Sequence, residues 1–126
     1  MQTNQLPSDY TVLAPDGSQI RELVGVDGGG MVHCTLPRGK TSIAVAHRTV
    51  EEVWYFLSGR GQVWRRREGR ESIIDASPGT ALTIPLGASF QLRNTGAEDL
   101  CFIIVTIPPW SGEEEAYPVE GRWGAT

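Results

Sequence analysis

The chain predicts an all-β protein, a sandwich or barrel of short strands. Its 15 glycines and 8 prolines are spread so evenly that no stretch is left for a sturdy helix. Between these turn formers, apolar and β-branched segments recur at the spacing of strands. No fixed internal period and no low-complexity tract is present, so a repeat array is excluded.

Each strand can be read from its neighbouring turns. Pro15-Asp16-Gly17 precedes the first, Ile20–Val26, and Asp27-Gly28-Gly29-Gly30 follows it. Met31–Leu36 runs to Pro37-Arg38-Gly39, and Thr41–His47 comes next. Val53–Leu57 is a continuous apolar run, which predicts a strand buried on both faces. Ser58-Gly59-Arg60-Gly61 turns the chain into Gly61–Arg67, and Glu68-Gly69 returns it through Ser72–Asp75. Pro78-Gly79 and Pro85-Leu86-Gly87 bracket Ala81–Ile84. Thr95-Gly96 separates Ser89–Asn94 from Leu100–Ile107. At 126 residues this makes one domain: an N-terminal arm over 1–19, a barrel over 20–107 and a C-terminal arm over 108–126. The last segment is rich in Pro, Gly and Glu yet carries Trp110, Tyr117 and Trp123. An ordered arm is expected, with its aromatics pinned to the barrel or a neighbouring subunit and Trp110 or Trp123 largely buried.

Composition excludes several classes. The net charge is −4, which gives no reason to seek nucleic acid or anionic lipid. The basic run Arg65-Arg66-Arg67 with Arg70 is broken by Glu68 and Glu71 and reads as a solvated hairpin tip. No apolar run is long enough to span a membrane, and MQTNQLPSDY has no apolar core of a secretory signal. Cys34 and Cys101 lie in apolar strands and read as buried free thiols. These features together predict a cytoplasmic protein. Gly28-Gly29-Gly30 lacks the context of a nucleotide loop, and no G-x-S-x-G nucleophile elbow exists.

The chemistry-bearing stretch is AHRTVEEVWYFLSGRG, residues 46–61. His47 and Glu52 are separated by an odd offset, so on one strand they would face opposite ways. They share a site only if the chain reverses over about Arg48–Glu51, which as antiparallel neighbours would bring them into contact. The spacing of Gly39, Val45, His47, Glu52 and Gly59 resembles the first motif of the cupin superfamily. Gly79, Pro85, Gly87, Phe90 and Asn94 resemble its second. Both motifs match in spacing, and the spacer between them fits a small single-domain cupin of the cupin 2 type. The resemblance implies a double-stranded β-helix: a jelly-roll barrel of two antiparallel sheets around a cavity.

The resemblance also implies four metal-ligand positions, here Val45, His47, Glu52 and Phe90. Two imidazoles are replaced by hydrocarbon, and one histidine with one carboxylate holds a divalent metal poorly. No cofactor is therefore expected; a divalent metal is disfavoured and, if bound, would sit on His47 and Glu52. His33, Cys34, Gln62 and Gln91 are the candidates for restoring such a site. Without metal, His47 and Glu52 would form a charge-assisted hydrogen bond able to move a proton or anchor a ligand. Strand parity predicts a cavity lined by Ile43, Val45, His47, Glu52, Trp54, Phe56, Phe90 and Leu92, mostly apolar, as small-molecule sites are. The expected function is a barrel that binds a small organic molecule through a degenerate, metal-poor site. The alternative is a cupin-type enzyme, either a metal-free isomerase or epimerase using His47 and Glu52 or a dioxygenase-like enzyme with an atypical metal site. The resemblance further implies a homodimer with two-fold symmetry, pairing through sheet edges and exchanged arms.

Overall fold

Side chains alternate across each strand, so a strand with every second residue apolar must bury one face against another sheet. The computed structural model describes residues 1–126 and contains eleven strands in two antiparallel sheets. In chain order they are β1 (Val12–Leu13), β2 (Gln19–Val26), β3 (Gly29–Leu36), β4 (Val45–His47), β5 (Glu51–Ser58), β6 (Gly61–Arg67), β7 (Arg70–Ala76), β8 (Ala81–Ile84), β9 (Ser89–Asn94), β10 (Leu100–Ile107) and β11 (Ala116–Pro118). One sheet has the order β1-β2-β3-β10-β5-β8 and the other β11-β4-β9-β6-β7. Consecutive strands repeatedly cross from one sheet to the other, which is the expected jelly roll.

The barrel is closed at one end and open at the other. β10 pairs with β5 so that Phe102 faces Phe56, Ile104 faces Trp54 and Thr106 faces Glu52. At the closed end Phe56, Leu92, Leu100 and Val63 are wholly buried, and Phe56 stacks on Phe102 at 4.7 Å. Toward Glu52 the packing gives way to a cavity.

The turn residues behave as their chemistry requires. Gly39, Gly59, Gly79 and Gly87 all have positive φ, at 78°, 83°, 93° and 81°. Gly59 is the most constrained, since a Cβ there would strike the Asp99 carbonyl. Asn94 donates to the carbonyls of Leu36 (3.0 Å) and Glu98 (2.7 Å) and accepts from the Gly96 amide (2.9 Å). It thus ties the β9–β10 turn to β3.

Three sequence expectations change. Val53–Leu57 is not buried on both faces: Val53, Tyr55 and Leu57 are 43%, 50% and 43% exposed, because nothing in the chain covers the outer face of this sheet. Thr41–His47 yields a strand only from Val45, with Thr41 making an isolated bridge to Arg93. Ser42 gives its amide to Leu92 and its hydroxyl oxygen accepts from the Leu92 amide, while the Ile43 amide goes to Asp16. Strand alternation is lost there. Third, Trp110 is 40% exposed and Trp123 is half-buried, so neither tryptophan is largely buried.

The C-terminal arm nevertheless packs on its own barrel. β11 adds to β4, and the following residues cross the outer face of that sheet. Gln91 anchors them: its amide donates to the Trp123 carbonyl (2.7 Å), and its oxygen accepts from the Arg122 and Trp123 amides (both 2.9 Å). The Arg93 guanidinium lies 4.4 Å over the Trp123 ring. Gly121 passes so close that a Cβ would meet Ala44 and Gln91 at 2.6 Å.

Candidate functional site

A cavity of about 620 Å³ opens between the sheets. From one sheet come Glu52 and Trp54 on β5, with Ile104 and Thr106 on β10; from the other come His47 and Phe90. His47 sits mid-sheet, its residue paired with Ala116 of β11. Of the residues expected to line the cavity, Val45, His47, Glu52, Trp54 and Phe90 do so. Phe56 and Leu92 face inward but lie beyond the floor, in the closed end of the barrel. Ile43 is 43% exposed and lies outside the cavity, because the irregular backbone before β4 breaks the parity used to place it.

His47 and Glu52 share the cavity by a different route from the one expected. β4 and β5 are not antiparallel neighbours; they belong to opposite sheets, and Arg48–Val50 is the crossover. No hydrogen bond joins the two side chains. Glu52 instead accepts from the Trp54 indole (3.1 Å) and the Thr106 hydroxyl (2.7 Å). His47 is 5% exposed and makes edge contacts with Phe90 (5.1 Å) and Trp110 (5.3 Å). Its Nδ1 is buried without a partner.

Burial dominates the electrostatics. It pushes the Glu52 carboxyl up to about 7, against the pull of its two hydrogen bonds. It holds the His47 imidazole down to about 4, although Glu115 opposes this. Asp16 is also raised by burial despite accepting from Ser18 (2.6 and 2.9 Å), and burial raises the Cys34 thiol. Glu115 goes the other way: burial raises it, but hydrogen bonds from Thr49, Ser111 and the Arg48 amide bring it to about 2. That carboxylate fastens the crossover to the arm, accepting from the Thr49 amide (2.6 Å), the Thr49 hydroxyl and Ser111 (2.9 Å).

The residues do not fit the divalent metal that the resemblance associates with this position. Val45 and Phe90 place hydrocarbon where two ligands would be needed. No group of three or more His, Cys, Asp or Glu side chains comes together as a metal site. Among the restoring candidates, Cys34 lines the cavity. Gln91 is held by the arm, Gln62 bonds to Asp75 and Arg93, and His33 lies one residue from cavity-lining Val32 and Cys34, on the other face of β3.

Sequence reasoning missed Asp16, Ser18 and Thr106 as cavity residues. Thr106 was accessible by parity with Phe102 and Ile104. Asp16 looked like an ordinary turn residue, and nothing local marks that turn as folding inward.

A sequence profile of the Cupin domain family matches residues 32–106. The uncharacterized protein MJ1618 of Methanocaldococcus jannaschii is 29% identical over 119 residues, which cover 86% of this chain and 91% of that protein. Among solved structures, oxalate decarboxylase from Bacillus subtilis superposes with a TM-score of 0.76 at 20% identity, over 94% of this chain and 33% of that one. The capsular polysaccharide assembling protein CapF from Staphylococcus aureus gives 0.71 at 21% identity, over 93% and 34%. A protein of Thermotoga maritima described as a predicted oxalate decarboxylase gives 0.68 at 19%, over 86% and 99%. The chain thus spans about a third of the length of the first two structures, and likeness at this identity concerns the fold. No helix of the chain is long and apolar enough to cross a membrane.

Proposed function

The chain belongs to the cupin domain family, and from that premise we propose that it binds a small organic molecule in the cavity between its sheets, with no metal organising the site. The carrying observation is a cavity of about 620 Å³ walled by Trp54, Phe90, Phe102 and Ile104, with a few polar groups at Glu52, Thr106 and His47. Its size and mixed lining are those of small-molecule sites generally. Trp54 offers a ring surface to an apolar or aromatic ligand, while Glu52 and His47 orient its polar end. Titration with a neutral solvatochromic naphthyl dye tests the reading. Saturable one-to-one binding is expected, and Ile104→Trp, which fills the cavity, should abolish it while leaving the circular dichroism unchanged. A dye that fails to bind, or binds the filled variant equally well, refutes it.

Metal-free proton transfer is a second reading, favoured by the Glu52 carboxyl, which burial lifts to about 7. Near neutral pH that carboxyl is present in both protonation states and can give or take a proton. Solvent deuterium entering a bound ligand would support it. The free thiols of Cys34 and Cys101 support a cytoplasmic setting. We also propose a two-fold homodimer. The uncovered outer face of the β5 sheet supports it, since Met31, Val53, Tyr55, Leu57 and Ile107 are each more than a third exposed.

A further inference from the structure

We propose that this cavity selects organic cations: an amine carried on an aromatic or apolar body, rather than a carboxylate. The inference rests on the cavity reading above and adds the charge of its ligand. Four carboxyl-bearing residues line the cavity, Asp16, Glu22, Glu52 and Glu113, and no lysine or arginine does. The one basic side chain, His47, is kept neutral by burial. The site therefore ranges from neutral to negative across the ordinary pH range and offers an anion no counter-charge. A carboxylate entering it would leave water for a largely apolar cavity whose ionisable oxygens are all carboxyls, at a desolvation cost with nothing to offset it.

An ammonium group meets the opposite situation. Each Glu52 oxygen retains a lone pair beyond the one used by Trp54 or Thr106, so it can accept a charge-assisted hydrogen bond. Independently of the acids, His47 lines the cavity while 5% exposed and has found no hydrogen-bond partner in the chain. A neutral imidazole wants a donor, and an ammonium has several N–H groups to give. The Trp54 and Trp110 rings also line the cavity, and aromatic rings of this kind attract a cation rather than an anion. The relatives described as oxalate decarboxylases therefore do not indicate this chain's ligand, because oxalate has the wrong charge for this lining.

Three probes with one naphthyl body separate the possibilities: naphthylethylamine, naphthylethanol and naphthylacetate, titrated calorimetrically into the intact protein at slightly alkaline pH. The amine is expected to bind about tenfold tighter than the alcohol, and the acetate about tenfold weaker. In Glu52→Gln the gap between amine and alcohol should shrink to about threefold or less. Asp16→Asn serves as the second variant should the first misfold, with the same narrowing expected. If the alcohol binds but the amine gains nothing, or the acetate binds as well as the amine, the charge assignment is overturned while the cavity reading stands. If none of the three binds, both are overturned.

Discussion

Replacing Glu52 by Gln isolates the cost of a buried carboxylate. The amide preserves the local geometry, since its oxygen can accept from the Trp54 indole while its NH₂ donates to the Thr106 hydroxyl. What disappears is ionisation. Glu52 has its pKa at about 7 in the folded chain against an ordinary 4.5. Each tenfold difference in proton affinity is worth about 1.4 kcal/mol. The wild type should therefore lose roughly 3 kcal/mol through this group as pH rises from about 4.5 to 7, because the folded state holds the proton longer than the unfolded one. His47 contributes with the opposite sign. It is neutral in the fold down to about pH 4 but would be charged in the unfolded chain below its ordinary 6.5, so its contribution grows as pH rises over that window. The two slopes nearly cancel, and wild-type stability should be almost flat between pH 4.5 and 6.5. In Glu52→Gln the His47 slope stands alone. The variant should match the wild type near pH 4.5 and exceed it by about 3 kcal/mol at pH 8, which is roughly 10 °C in Tm. Urea titrations at five or six pH values measure this directly. A variant less stable than wild type at pH 8, or a difference independent of pH, would show that Glu52 is not a strained buried acid.

The remaining predictions concern the other levels of the structure. Val45→His with Phe90→His sets imidazoles at the two positions where the cupin resemblance implies metal ligands, and the double variant should bind about one equivalent of zinc or manganese where the parent binds much less, as elemental analysis would read; equal metal content in the two proteins would count against the motif alignment. Gly121→Val should lift the arm from Gln91 and Ala44, speeding proteolysis after residue 118 with little change in the barrel's circular dichroism. Light scattering at micromolar concentration should give a dimer mass for the parent and a monomer mass for Tyr55→Lys, which sets a charge in the middle of the uncovered face; a monomeric parent ends the dimer proposal.

Much of the barrel was legible because its signals are local. The four motif glycines mark turns whose positive φ excludes most side chains, and β6, β8, β9 and β10 begin and end where the turn chemistry places them. Val45, His47, Trp54 and Phe90 were placed correctly because parity holds within a regular strand. Where regularity fails, so did the reading: Ile43 sits on irregular backbone, and Phe56 and Leu92 share the inward face but lie below the cavity floor, a depth that parity cannot express. The outer face of β5 was misjudged for a related reason, since an apolar run cannot say whether its second face is covered. The roles of Asp16 and β11 depend on contacts between distant parts of the chain, and no short stretch announces them.

The strap formed by β11 and the residues after it has a consequence for how the protein is made. β4 pairs with β9 on one side and with β11 on the other, and the Thr41 amide donates to the hydroxyl of Thr126. A hairpin such as β6–β7 can close within microseconds of emerging. At a synthesis rate of about 10 residues per second, however, the stretch from β4 to β11 takes several seconds to appear. During that interval His47 lies on an unfinished edge, and Gln91 lacks the partners that later occupy its amide. The pocket is therefore walled in late, when residues 116–126 close over the sheet that carries His47. A released chain lacking residues 116–126 would therefore hold a barrel with an open seam beside β4, the strand that carries His47.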